Sequence, residues 1–224
     1  MAKMKAYAVT EEDENTGGII YAEHNIVARR LGANEYADGE IAYVSCRRAP
    51  WADEYYGIGL PISVMVDNGW HFECHGCGQR IDSDMLYDQD RRSEDIVGTQ
   101  DSLVFCDAVC EAYHNLNRAK CKKLETRWVR RFIKIVKRYF PDAEPEYRHA
   151  YASRNNDGRY TISHVSVQFD FPGREYAMAE LAWRKKSSWE KEYPKPHFTC
   201  SSDDKEAFKL WAADQKLKRE AVRA

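Results

Sequence analysis

An α+β fold is what this sequence predicts, and three observations predict it. Strand-like runs with turn signals occur at both ends of the chain. Two closely spaced cysteine pairs, Cys74/Cys77 and Cys106/Cys110, sit in the middle. Residues 107–140 then contain neither Gly nor Pro and carry apolar residues at helical spacing. In order, these predict a small N-terminal sheet with a helix, a central cysteine-rich module, a long helix, and a C-terminal three-stranded antiparallel sheet closed by a terminal helix. Segment boundaries are expected at 1–61, 62–117 and 118–224.

The first strand is Lys5 to Thr10, which alternates weakly. A charged turn from Glu11 to Gly18 leads to the apolar run Ile19-Ile20-Tyr21, so the pair reads as a hairpin. Asn25 is placed to cap a helix whose core positions would be Ile26, Val27 and Leu31, with Gly32 as its stop. Ile41 to Cys46 returns as a strand, and Pro50, Gly57, Gly59 and Pro61 punctuate the exit. Arg47, Arg48 and Trp51 to Tyr56 form a mixed basic, aromatic and acidic loop. Such a loop either contacts a partner or covers the edge of the small sheet.

A further apolar run, Ile62 to Val66, and an Asn68-Gly69 turn deliver Trp70 and Phe72 to the first cysteine pair. There a C-x2-C turn followed by Gly78 places two thiolates on one knuckle. The second pair, C-x3-C, follows the strand-like Leu103-Val104-Phe105 and precedes the long helix, so Cys110 projects from a first helical turn. One knuckle on a hairpin and one at a helix start is a treble-clef-like arrangement. Cys74, Cys77, Cys106 and Cys110 are therefore expected to hold a structural Zn2+, whose four-thiolate shell leaves no open position for substrate. His75 and His114 are bystanders to a filled shell. Between the pairs lie Asp82, Asp84, Asp88, Asp90, Glu94, Asp95 and Asp101, which predict a solvated acidic loop.

The strongest charge anomaly follows. From Arg118 to Arg138 ten cationic side chains, Lys123, Arg127, Arg130, Arg131, Lys134, Lys137 and Arg138 among them, face Glu125 as the only acid. Leu124, Trp128, Phe132, Ile135 and Tyr139 recur at steps of three and four, so one stripe faces a core and the rest is cationic. Such a face either lies on a phosphate backbone or is complemented by the acidic loop of the same chain. Asn115 and Asn117 are weak points at which the helix is expected to break. Beyond Pro141 the period shortens: Tyr147 to Arg154 and Arg159 to Phe171 flank Asn155-Asn156-Asp157-Gly158, a hairpin signal, and Tyr176 to Trp183 forms a third strand. Asp203 and Glu206 are expected to cap a final helix that buries Phe208, Trp211 and Gln215.

Hydrophobic residues make up 43% and charged residues 31% of the 224, which places the chain among folded globular proteins. No apolar stretch is long enough to span a bilayer and no secretory signal core is evident, so a cytoplasmic, membrane-independent protein is expected. No phosphate-binding glycine loop occurs. The nearest approach to a metal-dependent nuclease is Asp142 with Asp203, Asp204 and Lys205, whose two halves are far apart in sequence, and no nucleophile with an orienting acid is visible. A non-catalytic protein is expected.

Met4-Lys5-Ala6-Tyr7, Ile20-Tyr21-Ala22-Glu23, Arg47 through Asp53 and Gly69-Trp70-His71-Phe72-Glu73-Cys74-His75-Gly76-Cys77-Gly78 resemble a group of uncharacterised phage and prophage proteins. The resemblance covers about half the chain and fades after Cys110. It implies a bacterial-virus origin, a metal-binding middle and the cytoplasm of a bacterial host. By association it also implies an accessory protein that binds and inhibits or redirects a host macromolecular machine, as anti-CRISPR or anti-restriction proteins do. The alternative is a DNA- or RNA-binding protein using the helix at 118–138.

Overall fold

The computed structural model describes residues 4–13, 16–187, 190, 192 and 194–221. The chain divides into two compact units, Met1–His114 and Asn115–Ala224.

In the first unit, strands β1 (Lys5–Glu11), β2 (Gly17–Ala22) and β3 (Val44–Arg48) form an antiparallel sheet of order β2-β1-β3. The hairpin is as expected, with residues 14 and 15 of its turn outside the described residues. Helix α1 (Asn25–Tyr36) runs through Gly32 instead of stopping there. It buries Ala28, Gly32 and Ala33, and leaves Ile26, Val27 and Leu31 44–55% exposed. The expected core face is thus reversed, for a steric reason: a Cβ on Gly32 would lie 2.3 Å from Val9 Cγ1, so only small residues let the helix approach the sheet this closely. Nor does Asn25 cap the helix; His24 holds the N-cap position, and the Asn25 amide donates to the Cys46 carbonyl at 3.1 Å.

Ile62 to Val66 belongs to a helix, α2 (Ile62–Asp67), that starts after Pro61 and buries Ile62, Met65 and Val66 at helical spacing. A two-residue hairpin, β4 (Phe72–Glu73) with β5 (Arg80–Ile81), carries the first cysteine pair in its turn. The acidic segment beyond it is not a solvated loop. Asp82 caps α3 (Ser83–Asp88) by accepting from the Met85 amide at 2.9 Å, and Ile81, Met85, Leu86 and Ile96 are buried. Few apolar residues suffice here because these four turn inward, while most of the carboxylates stay at the surface. Residues of the expected segments 1–61 and 62–117 share one core, in which Ala6 and Ile19 pack with Ile62, Met65, Ile81 and Phe105. Gln100 fastens them together: its side chain accepts from the Ile19 amide at 2.6 Å and donates to the Ile19 carbonyl at 3.0 Å, pairing with β2 as another strand would.

Helix α4 (Ala108–Tyr139) is continuous; Asn115 and Asn117 do not break it. In the second unit it packs on a sheet of four strands, not three: β6 (Pro145–Arg154), β7 (Tyr160–Phe169), β8 (Ala179–Arg184) and β9 (His197–Thr199), in that order and antiparallel throughout. The β6–β7 turn forms at Asn155 to Gly158, whose φ of +83° suits glycine. Phe132, Val136 and Phe140 meet Val165, Val167, Phe169 and Leu181 of the sheet, together with Trp211 of α5 (Lys205–Ala221). Trp128 stacks on Trp183 at 5.4 Å and Phe140 on Trp211 at 4.9 Å. Of the expected stripe, Tyr139 is half exposed and Val136 takes the buried place. Asp203 and Glu206 do not form the expected capping pair. Asp204, 2% exposed, instead accepts from the Glu175, Tyr176 and Ala177 amides, and Glu206 pairs with Lys209.

Candidate functional site

The four paired cysteines converge in the first unit. Their Sγ atoms all lie within 4.8 Å of one another, with Cys77 and Cys106 at 3.6 Å, and they could hold a metal ion. None of the seven cysteines is disulfide-bonded. The knuckle turns because the Gly78 amide donates to the Cys74 carbonyl and the Cys74 amide to Gln79, both at 2.8 Å, with Gly78 at φ +75°. The His75 amide donates to the Val104 carbonyl at 2.9 Å, drawing the knuckle against the strand-like lead into Cys106. Cys110 sits in the opening turn of α4, where Asp107 accepts from its amide at 2.7 Å and is itself held by Arg91 at 2.9 Å. Within each pair the turn is local, so the C-x2-C and C-x3-C spacings place its thiols, while the His75–Val104 and Arg91–Asp107 contacts join segments distant in sequence.

The electrostatics favour a cation. Burial pushes the Cys74 thiol up, but amide hydrogen bonds from Cys106, Cys77 and Gly76 outweigh it and bring its pKa down to about 6. Burial and the neighbouring Cys74 and Cys77 sulfurs push Cys106 well up, and hold Cys110 at about 12. The site thus favours a thiolate at Cys74, while Cys106 and Cys110 resist ionising beside it until a positive ion offsets the repulsion. His75 and His114 lie outside the cluster. His114 Nδ1 is 3.0 Å from the His75 carbonyl oxygen, and its ring packs on Phe105.

Gly76 is a functional residue that spacing alone does not reveal. A Cβ there would lie 2.7 Å from the Cys110 carbonyl oxygen and 2.9 Å from its Cβ, so the knuckle reaches the helix only if this residue is glycine. The signal in the sequence was a glycine between the paired cysteines.

On α4, Lys123, Arg127, Arg130, Arg131, Lys134 and Arg138 are all exposed and share one face, while Lys137 is half-buried and pairs with Glu144 at 2.5 Å. An open trough of about 730 Å³ runs along this face, lined by Lys122, Lys123, Arg127, Arg130, Arg131 and Lys134 around Thr126. Among the described residues none of these six cations makes an ion pair; Arg131 lies over the Trp128 ring instead, 5.3 Å from its centroid. Glu125 does not dilute the face. Its carboxylate turns toward the sheet, accepting from the Ala152 amide at 3.1 Å where β6 shifts register, and pairs with Arg118 at 3.1 Å.

Two of the four residues considered for nuclease chemistry are engaged otherwise. Asp142 accepts from Gln215 at 2.7 Å and from Lys218 at 2.6 Å, and Asp204 holds three backbone amides. Among the described residues no helix is long and apolar enough to cross a membrane. No family model, curated protein or solved structure matches this chain.

Proposed function

We propose that this is a zinc-stabilised, non-catalytic protein that binds nucleic acid through the cationic face of α4. The observation that carries the reading is that face itself: six exposed Lys and Arg side chains around one trough, with no carboxylate of the described residues paired to them. From Lys122 to Arg138 the face extends about 24 Å along the helix, enough to follow several successive phosphates. Aromatic stacking beneath it, through Trp128, fixes the helix to its sheet so that the cations are presented on a rigid rod.

Zinc is the metal that an all-cysteine set of this kind favours. With Zn–S bonds of about 2.3 Å, a tetrahedron has S···S edges of about 3.8 Å. The Cys77–Cys106 separation of 3.6 Å suits that edge, and the amide donors to Cys74 are what a thiolate ligand needs. Four thiolates would fill the shell, so the metal's role is to hold the first unit together, as in the treble-clef-like arrangement that the hairpin and helix start suggest.

The test is binding of labelled duplex DNA, single-stranded DNA and RNA by fluorescence anisotropy across a salt series. Neutralising about six phosphates gives a slope of log K against log salt near −5. Replacing Arg127, Arg130, Arg131 and Lys134 together by Glu should abolish binding while leaving the melting transition of the protein in place. Affinity that survives this change would remove α4 as the site.

A second reading is favoured by a separate observation. The outward stripe of Ile26, Val27 and Leu31 on α1 is apolar and unpartnered among the described residues, as a protein-docking helix would be. It fits a phage accessory protein that binds and inhibits or redirects a host protein complex in the bacterial cytoplasm. Retention of a defined host complex after nuclease treatment, lost in Leu31→Asp, would favour this reading over the first.

A further inference from the structure

The loop after β3 builds a cavity that neither the metal nor the α4 face accounts for. It measures about 320 Å³ and is lined by Tyr21, Tyr55, Tyr56, Leu60, Gln100 and Asp101, with Gly57 and Gly59 at its rim. Both glycines have left-handed backbones, φ +81° and +89°, so the chain doubles back and brings Tyr55, Tyr56 and Leu60 to the same opening. The Tyr21 and Tyr56 rings lie 5.4 Å apart at 52° to each other. The two rings are thus in tilted contact with each other and both line the cavity, with Tyr55 beside them.

The polar groups of the lining divide clearly. Tyr21 is fixed by donating to the Ala52 carbonyl at 2.9 Å, and the Gln100 amide is committed to Ile19. Asp53, close by, is paired with Arg48. Asp101 makes no ion pair among the described residues and is exposed, so its negative charge is available to the cavity. Burial, then Asp53 and Asp101, push the Tyr21 hydroxyl above its ordinary range. A lining of tyrosine rings with a single carboxylate disfavours phosphate and suits a soft, weakly hydrated cation. At about 300 Å³ such a space is at the small end of ligand sites, suited to a headgroup and not to a nucleotide.

We propose that this cavity is an aromatic cage for an alkylammonium group, presented either by a small free molecule or by a methylated lysine side chain of a partner protein. It stands independently of the nucleic-acid reading, because all its lining residues belong to the first unit and carry no cationic side chain.

The experiment uses the full-length, metal-loaded protein. Tyrosine ring resonances are followed by NMR while choline, its neutral isostere 3,3-dimethylbutan-1-ol, and a short peptide containing trimethyl-lysine are added in turn. Choline or the peptide should shift Tyr21, Tyr55 and Tyr56, and the isostere should not. Tyr56→Ala and Asp101→Asn change exposed side chains, and each should weaken binding about 3- to 10-fold with metal content unchanged. Tighter binding of choline than of the peptide assigns the site to a free molecule; the reverse assigns it to a partner's side chain. Equal response to the isostere, no response to either cation, or undiminished affinity in both variants would overturn the proposal.

Discussion

The two units solve the same problem by different means. The second builds its core from large aromatic residues, Phe132, Phe140, Phe169, Phe171 and Trp211, between two helices and a four-stranded sheet. The first has a three-stranded sheet with one 12-residue helix, a two-residue hairpin and two helices of six residues, and its core is mostly Ala, Ile, Val and Met. Its short elements around the knuckle carry few apolar residues each, and the four thiols between them could hold a metal ion that would cross-link them. With a metal bound, the first unit would be held by packing and coordination together and the second by packing alone, so perturbations of packing and of coordination should separate them.

The sharpest separation is expected from the metal. Cys106→Ser, or chelation of the wild type, should remove the bound ion and on the order of 10 kcal/mol of local stability. Hydrogen exchange should then collapse across 60–114 while β6 to β9 stay protected. Protection retained in both units without metal would break the comparison. Phe132→Ala tests the converse, because this fully buried ring should cost about 3–5 kcal/mol in the second unit and leave metal stoichiometry untouched; calorimetry with metal analysis checks both halves.

A gentler probe is acid. Three backbone amides hold the Asp204 carboxyl below the ordinary range, the Glu175 amide foremost. A carboxylate depressed in the folded state contributes stability above its unfolded pKa of about 3.9, and that stability is lost as pH falls through the lower folded value. The second unit should therefore weaken below about pH 4, and in Asp204→Asn it should be less stable at pH 7 with a flatter acid limb. Circular dichroism melts between pH 7 and pH 2 would register both. The smallest effect belongs to Asp107→Ala, which removes the cap of α4 and the Arg91 pair for about 1 kcal/mol. It should appear as faster exchange of the Cys110 amide and slightly weaker metal affinity.

What the sequence made legible, and what it hid, follows the same division. The cysteine constellation could be read directly, since a knuckle is a local turn, and so could the helical character of 107–140, a Gly- and Pro-free amphipathic run, although the break expected at Asn115 and Asn117 does not occur. In the second unit β9 escaped: three residues just after Pro194 and Pro196 carry no pattern of their own, and only their register on β8 makes them a strand. In the first unit α1 was turned the wrong way, because hydrophobicity marks Ile26, Val27 and Leu31 while the contact is made by the small residues that permit close approach. α3 escaped for a related reason. Two buried apolar residues, Met85 and Leu86, are too few to outweigh the acidic side chains around them in a sequence reading. The cage was invisible in principle, since Tyr21, Tyr55, Tyr56 and Asp101 are brought together only by the fold.

The contact at Gly76 changes how kin of this chain should be sought. Where the knuckle meets α4, any side chain at this position would strike the Cys110 backbone, so the informative signature is C-x-G-C-G followed by C-D-x2-C. A search that demands only the four thiols will gather ribbons and fingers of every construction. One that also demands the glycine selects for the way this hairpin leans on its helix.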